Sequence, residues 1–406
     1  MHKKPFHIAN KATRGLRTLA VHAGQKPDAG TGAIAQPIVA TSSFAYDDFD
    51  AGAARFSGQA PGYLYSRFAN PTVATFEAKM AALEGGDAAV AFASGMAAIC
   101  STLLALLQAG DEIVYVGTLY GGTDGVMRQM LPQLGIRSVH AAGVQDLPAK
   151  LGAHTRVVYV ETPANPVLGI TDLAAVVDMA RQAGIRCVAD NTFATPCLTQ
   201  PLLLGFDVVV HSATKYIGGH GDATGGVAVT RDGLRTGLLD AIRGAGLKQL
   251  GACLSPFDAS LLIRGLKTLP LRMDAACDNA EQMAPVLASH RAVAQVYYPG
   301  LASHPGHAIA ARQMRRFGGI LSVELVGGRP AARAFLDALT LVTQAVSVGD
   351  TDSLACHPAS TTHSAVAPDV RLQSGVTEGL VRMSLGIEDA RDLLEDVLQA
   401  LDATAR

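Results

Sequence analysis

The run His211-Ser212-Ala213-Thr214-Lys215 sets a lysine just past two hydroxyl side chains, at the end of the apolar stretch Asp207-Val208-Val209-Val210. A short β-branched run bounded by glycine predicts a buried strand of a parallel sheet, so Lys215 leaves that strand at its carboxyl end. Ligands of open α/β sheets collect outside those ends. A desolvated lysine there can shed its proton and form a Schiff base with an aldehyde, whereas a lysine in a solvated turn does no chemistry. Ile185-Arg186-Cys187-Val188-Ala189-Asp190 predicts a second strand, one crossover earlier, that delivers a carboxylate to the same crevice. Asp190 then suits a cofactor with a protonated ring nitrogen; the alternative is an aspartate capping the turn Asn191-Thr192.

Ala93-Ser94-Gly95-Met96 follows the apolar run Ala88–Phe92 and precedes an alanine- and leucine-rich stretch to Leu107. A strand, a glycine turn and a helix start form the layout in which free N–H groups and the helix dipole meet a phosphate, with Ser212 and Thr214 closing the cup. Ser-Gly at such a turn also occurs where no phosphate binds. An amine, a ring-facing carboxylate and a phosphate cup together are what pyridoxal phosphate requires. Tyr120, just before Gly121-Gly122 and after the strand Glu112–Val116, is placed to lie over a cofactor ring or else is a core aromatic. Arg382 is an odd charge in an apolar strand start, apt as a carboxylate anchor or as half of a structural ion pair.

Taken in order, Tyr65-Ser66-Arg67 with Asn70-Pro71-Thr72, Ala93-Ser94-Gly95-Met96, Glu161-Thr162-Pro163-Ala164-Asn165-Pro166, Asp190-Asn191-Thr192, Ser212-Ala213-Thr214-Lys215-Tyr216, Leu254-Ser255-Pro256, His357-Pro358-Ala359-Ser360 with His363, and Gly379-Leu380-Val381-Arg382-Met383-Ser384 resemble the Cys/Met-metabolism family of pyridoxal-phosphate enzymes, closest to its methionine γ-lyase branch. The resemblance implies an α/β chain of pyridoxal-phosphate fold type I, with a large domain built on a mostly parallel seven-stranded sheet and a smaller C-terminal α/β domain. It implies pyridoxal 5′-phosphate held by Tyr65, Arg67, Gly95, Met96, Tyr120, Asp190, Ser212, Thr214 and Lys215. Lys215 and Tyr120 are then the catalytic residues, and Asn165, Ser347 and Arg382 bind the amino-acid substrate. In the family the residues matching Tyr65 and Arg67 touch the phosphate of a neighbouring protomer, which implies a homotetramer whose active sites are shared between two subunits. The expected chemistry is γ-elimination from methionine or homocysteine to 2-oxobutanoate, ammonia and a thiol. The alternatives, γ-replacement on O-acetyl- or O-succinylhomoserine and cleavage of cystathionine, use the same residues. Val346 stands where cystathionine-handling members carry a glutamate, while Gly122 and Gln249 stand where methionine lyases carry a cysteine and an aspartate.

The elements that must position these residues follow from the pattern. Strands are expected at Ala88–Ala93, Glu112–Val116, Arg137–Ala141, Val157–Glu161, Ile185–Asp190, Val208–Ser212 and Gly226–Thr230, alternating with helices in a sheet covered on both faces. Asp258–His290 reads as helical but interrupted by Pro270 and Pro285. Strands at Val293–Tyr298, Gly318–Leu325 and Leu380–Leu385, with helices at Ala331–Leu339 and Asp389–Leu401, make the smaller domain. The expected division is an N-terminal segment 1–65 reaching a neighbouring subunit, a cofactor-binding domain 66–265 and a C-terminal domain 266–406. At 406 residues, 49% hydrophobic, 17% charged and net charge -2, the chain offers no footprint for nucleic acid or an anionic membrane. Met1-His2-Lys3-Lys4-Pro5 lacks the apolar stretch of a signal peptide, and the six cysteines are scattered, so a cytoplasmic protein with reduced thiols is expected. No metal is expected, since His211, His220, His357 and His363 lack short ligand spacing.

Overall fold

The computed structural model describes residues 14–364 and 368–404, which leaves Met1 to Pro5 outside the described residues. The central sheet has seven strands, β1 (Ala88–Phe92), β2 (Glu112–Val116), β3 (Arg137–Ala141), β4 (Thr155–Glu161), β5 (Arg186–Asp190), β6 (Val208–Ser212) and β7 (Gly226–Thr230), in the order β1-β7-β6-β5-β4-β2-β3. The pairs from β3 to β6 are parallel. β7 runs antiparallel to both of its neighbours, β6 and β1. The valine run of β6 is fully buried because alternate residues serve two cores: Val209 packs with Val158, Val160 and Ala189 on one face, and Val208 and Val210 pack with Tyr159 and Val188 on the other.

Among the described residues of the N-terminal segment are the helices α1 (Leu16–His22) and α2 (Phe49–Phe56). Next comes α3 (Pro71–Glu84), which starts where the Asn70 side chain accepts the Thr72 N–H at 2.9 Å and ends at Gly85, whose φ of 71° closes the last turn. α4 (Gly95–Leu106) follows β1 directly.

One expectation is corrected. Pro256–Ala288 is a single 33-residue helix with Pro270 and Pro285 inside it, not an interrupted one. Each proline removes one backbone N–H, a local cost that burial overrides. The first half packs Leu262, Leu266, Leu269 and Met273 on the large-sheet core, and the second packs Ala280, Met283 and Leu287 on the smaller one. Arg272 within it donates to the carbonyls of Tyr216 at 2.7 Å and Gly265 at 2.8 Å, fastening the helix to the segment after Lys215.

The smaller sheet has five strands rather than the three read from the sequence: β8 (Val293–Tyr297), β9 (Ile320–Leu325), β10 (Thr343–Gln344), β11 (Leu354–Cys356) and β12 (Leu380–Ser384), in the order β10-β11-β12-β9-β8. Arg382 lies at the centre of β12, between Ser322 and Cys356. Among the described residues no helix is long and apolar enough to cross a membrane.

Candidate active site

The carboxyl ends of β1, β4, β5 and β6 open on one cavity of about 560 Å³, whose far wall comes from Ser347, Thr362 and Arg382 of the C-terminal part. Of the residues singled out in the sequence, Gly95, Met96, Tyr120, Asn165, Asp190, Ser212, Thr214, Lys215, Ser347 and Arg382 all line it.

One end is a cup of donors. Ser94 caps α4 by accepting the Ala97 N–H at 3.1 Å, which leaves the N–H groups of Gly95 and Met96 without carbonyl partners inside the helix. Gly95 lies so close to β6 that a Cβ on it would come within 2.6 Å of the Ser212 Cβ, so the absent side chain is what lets the helix start meet the Ser212 hydroxyl. Thr214 is fixed beside them by hydrogen bonds with Gly225, accepting its N–H at 3.1 Å and donating to its carbonyl at 3.3 Å. Two helix N–H groups with hydroxyls from a facing strand end suit a phosphate.

Just past the same carboxyl end of β6, Lys215 Nζ donates to Ser347 Oγ at 3.0 Å. Burial lowers the lysine pKa and the nearby Arg382 lowers it further, against a smaller opposing pull from Asp350. Asp190 is buried at the end of β5, and burial raises its pKa. The Thr192 hydroxyl and N–H, the latter at 3.0 Å, together with His211 and the Tyr159 hydroxyl at 3.5 Å, pull the other way. Glu161, one strand over, accepts the Tyr120 N–H at 2.7 Å. Arg382 is buried; its Nη1 donates to Asn165 Oδ1 at 2.8 Å and its Nη2 to the Ser347 carbonyl at 3.0 Å, and among the described residues the guanidinium lining the cavity has no carboxylate partner. This donor set fits pyridoxal phosphate: a cup for phosphate, a carboxyl for a ring nitrogen, an amine for an aldehyde and a guanidinium for a substrate carboxylate.

Tyr65 and Arg67 are not brought into this cavity. Arg67 Nη1 donates to the carbonyls of Lys248 at 2.8 Å and Leu247 at 3.3 Å, and its guanidinium lies 4.5 Å from the Phe68 ring centre. Tyr65 is 41% exposed beside it. The four histidines are dispersed: His211 pairs with Glu84 at 2.7 Å, His220 bonds the Gly218 carbonyl, His357 bonds Ser360 and the Glu378 carbonyl, and His363 bonds Thr362. Sequence reasoning assigned no role to Glu161, Thr192 or the pair Thr361-Thr362, all of which line the cavity. Glu161 carried a legible signal, a lone carboxylate ending the apolar run Val157–Val160 as Asp190 ends its own strand.

A family model described as "Cys/Met metabolism PLP-dependent enzyme" matches residues 17–402. L-methionine γ-lyase of Pseudomonas putida is 48% identical over 403 residues, covering 98% of this chain and 100% of that one. A solved cystathionine γ-synthase from Xanthomonas oryzae pv. oryzae superposes with a TM-score of 0.89 at 41% identity, covering 97% of this chain and 99% of the other. A structure from Campylobacter jejuni subsp. jejuni that carries a pyridoxyl-lysine phosphate superposes with a TM-score of 0.92 at 33% identity, covering 96% and 100%.

Proposed function

Because the chain belongs to the family of Cys/Met metabolism PLP-dependent enzymes, we propose that its cavity carries out γ-elimination on sulfur amino acids, turning methionine or homocysteine into 2-oxobutanoate, ammonia and a thiol. The observation that carries this reading is that Arg382 and Val346 line the same cavity. A substrate carboxylate on the Arg382 guanidinium sends its side chain past Ser347 toward Val346, an aliphatic group 55% exposed in the cavity wall. A thioether or thiol suits that wall, whereas a distal ammonium group finds no carboxylate on it.

Gly95, Met96, Ser212 and Thr214 hold the phosphate of pyridoxal phosphate, Asp190 its ring nitrogen and Lys215 its aldehyde. The bound cofactor supplies the electron sink that makes the substrate's Cα–H acidic and the Cγ substituent expellable. Lys215, its amine biased toward the neutral form by burial, takes the proton from Cα and carries protons between Cα and Cβ. Tyr120 protonates the departing sulfur. Arg382 and Asn165 fix the carboxylate end so that Cα stays within reach of Lys215.

The same reading has Tyr65 and Arg67 serving the cavity of a second copy in a cytoplasmic homotetramer; their absence from the lining of their own cavity and the exposed apolar side chains Ile34, Phe49 and Phe56 in the same N-terminal stretch support the shared site. γ-Replacement on O-acetyl- or O-succinylhomoserine is the second reading, favoured by one feature: Gly122 leaves the Tyr120 ring unobstructed, since a Cβ there would lie 2.6 Å from its Cε1. Incubation with methionine, homocysteine, cystathionine and the two O-acylhomoserines, with and without sulfide, separates the two. Keto-acid release from methionine without added thiol supports elimination; product formed only with O-acylhomoserine and sulfide overturns it.

A further inference from the structure

β4 and β5 end on two carboxyls side by side. Glu161 and Asp190 are register partners on adjacent parallel strands, both are buried and both line the cavity. Asp190 has its partner in the cofactor's ring nitrogen, while Glu161 has no role in the reaction as described. Its contacts reach both sides of the cavity. One oxygen takes the Tyr120 N–H at 2.7 Å, and the carboxyl also takes the backbone N–H of Asn165. Asn165 in turn receives Arg382, Arg382 holds the Ser347 carbonyl, and the Ser347 hydroxyl receives Lys215. A continuous line of hydrogen bonds thus joins Tyr120 to Lys215 through Glu161. Tyr120 is followed by Gly121-Gly122, which contribute no side chain to hold it, so the Glu161 carboxyl is the anchor of that loop on the sheet.

Two carboxylates this close in a buried crevice cannot both ionise, and the proton settles on the one with the weaker donors. Asp190 has two donors from Thr192, the Tyr159 hydroxyl and the field of His211; Glu161 has two backbone N–H groups. Resting on the reading of the cavity as a pyridoxal-phosphate site, we propose that Glu161 is a positioning residue that holds a proton, setting Tyr120 and the Asn165–Arg382 pair at their spacing while leaving Asp190 the one anion beside the ring nitrogen. Burial, then the charge of Asp190, pushes the Glu161 carboxyl up to about 8. The other ionisable groups around it are Tyr159, which burial keeps neutral by raising its phenol well above the ordinary range, Tyr120 itself and Arg382 beyond Asn165. Above about 8 the proton is lost, and a second charge beside Asp190 changes the field at the ring nitrogen.

The test compares Glu161→Ala and Glu161→Gln with the parent. In the holoenzyme, Glu161→Ala should lower kcat by about 100-fold, the scale of a misplaced reacting group, with a much smaller change in KM. Glu161→Gln, a neutral carboxyl mimic, should recover most of that loss and lack the parent's alkaline fall in activity. In the protein without cofactor, infrared spectroscopy at neutral pH should show a protonated carboxyl band that Glu161→Gln removes. A glutamine variant as impaired as the alanine one, or no such band in the parent, overturns the proposal. The infrared measurement stands without turnover, so a parent that releases no keto acid would count against the elimination reading alone.

Discussion

Lys215 Nζ and Ser347 Oγ lie 3.0 Å apart, a bond from the end of β6 to a residue whose backbone sits at φ 103°. Such a conformation in a non-glycine residue costs about 1–3 kcal/mol and persists only where its surroundings hold it. Here the Arg382 guanidinium donates to the Ser347 carbonyl while the lysine donates to its hydroxyl, so the amine is held against the cavity wall that the C-terminal part supplies. Lys215→Ala should therefore fold, lose the yellow absorbance of the loaded protein and lose turnover of every substrate. Borohydride reduction followed by peptide mass spectrometry checks it: cofactor bound covalently at another lysine in the variant would remove Lys215 from its role.

Asp190→Ala should part binding from catalysis. The proposed phosphate donors at Gly95, Met96, Ser212 and Thr214 keep their own side chains and N–H groups, so part of the cofactor affinity should remain. Without the carboxyl the ring nitrogen is no longer held protonated, and kcat should drop by at least about 100-fold, as for loss of a preorganised electrostatic partner. Cofactor titration beside steady-state kinetics makes the comparison, and a fully active variant would refute the assignment.

Much of this site is legible in the sequence because its residues stand at the ends of short, β-branched strands. The runs Glu112–Val116, Val208–Ser212 and Gly226–Thr230 are the observed β2, β6 and β7 residue for residue. What stays hidden depends on contacts between distant segments. Pro270 and Pro285 read as breaks because the local penalty is visible and the burial that offsets it is not. β10 and β11, two and three residues long, are too short to carry an alternating pattern. Glu161 looks like any strand-end carboxylate until the β4–β5 register sets it beside Asp190. Thr361 and Thr362 reach the cavity from a loop far along the chain, without a local pattern to announce them.

Gly95→Ala tests the proposed phosphate cup from the steric side. An added Cβ would meet Ser212 Cβ at 2.6 Å and its Cα at 2.8 Å, and that backbone belongs to a strand end paired with β7. Overpacking of this kind costs about 1–3 kcal/mol, so the unloaded protein should lose thermal stability modestly. Because the helix start must back away from Ser212, affinity for pyridoxal phosphate should fall by more than about tenfold, the equivalent of one hydrogen bond to a charged group. Equilibrium dialysis measures this, and unchanged affinity would place the phosphate elsewhere.

Asp396 gives a prediction away from the cavity. Its carboxyl, on the helix Ala390–Ala403, accepts the Thr340 N–H and hydroxyl at 2.8 and 2.7 Å and the N–H groups of Leu341 and Val342 at 3.0 and 2.9 Å. Burial works to raise its pKa, but the Val342 N–H, the Thr340 hydroxyl and N–H and the Leu341 N–H outweigh it and hold the carboxyl at about 2, below the ordinary 3.8. With the folded value depressed, the unfolded chain takes up the proton first as pH falls. The stabilisation is thus fully present above 3.8 and lost on the way down to about 2. Asp396→Ala should cost about 3 kcal/mol at neutral pH, since it strands several donors at once. Asp396→Asn should remove most of this residue's share of the acid sensitivity. Urea unfolding of the parent and both variants, at neutral pH and through the acid window, decides it: an Asn variant whose stability falls with acid as steeply as the parent's would show that the carboxylate does not hold this loop.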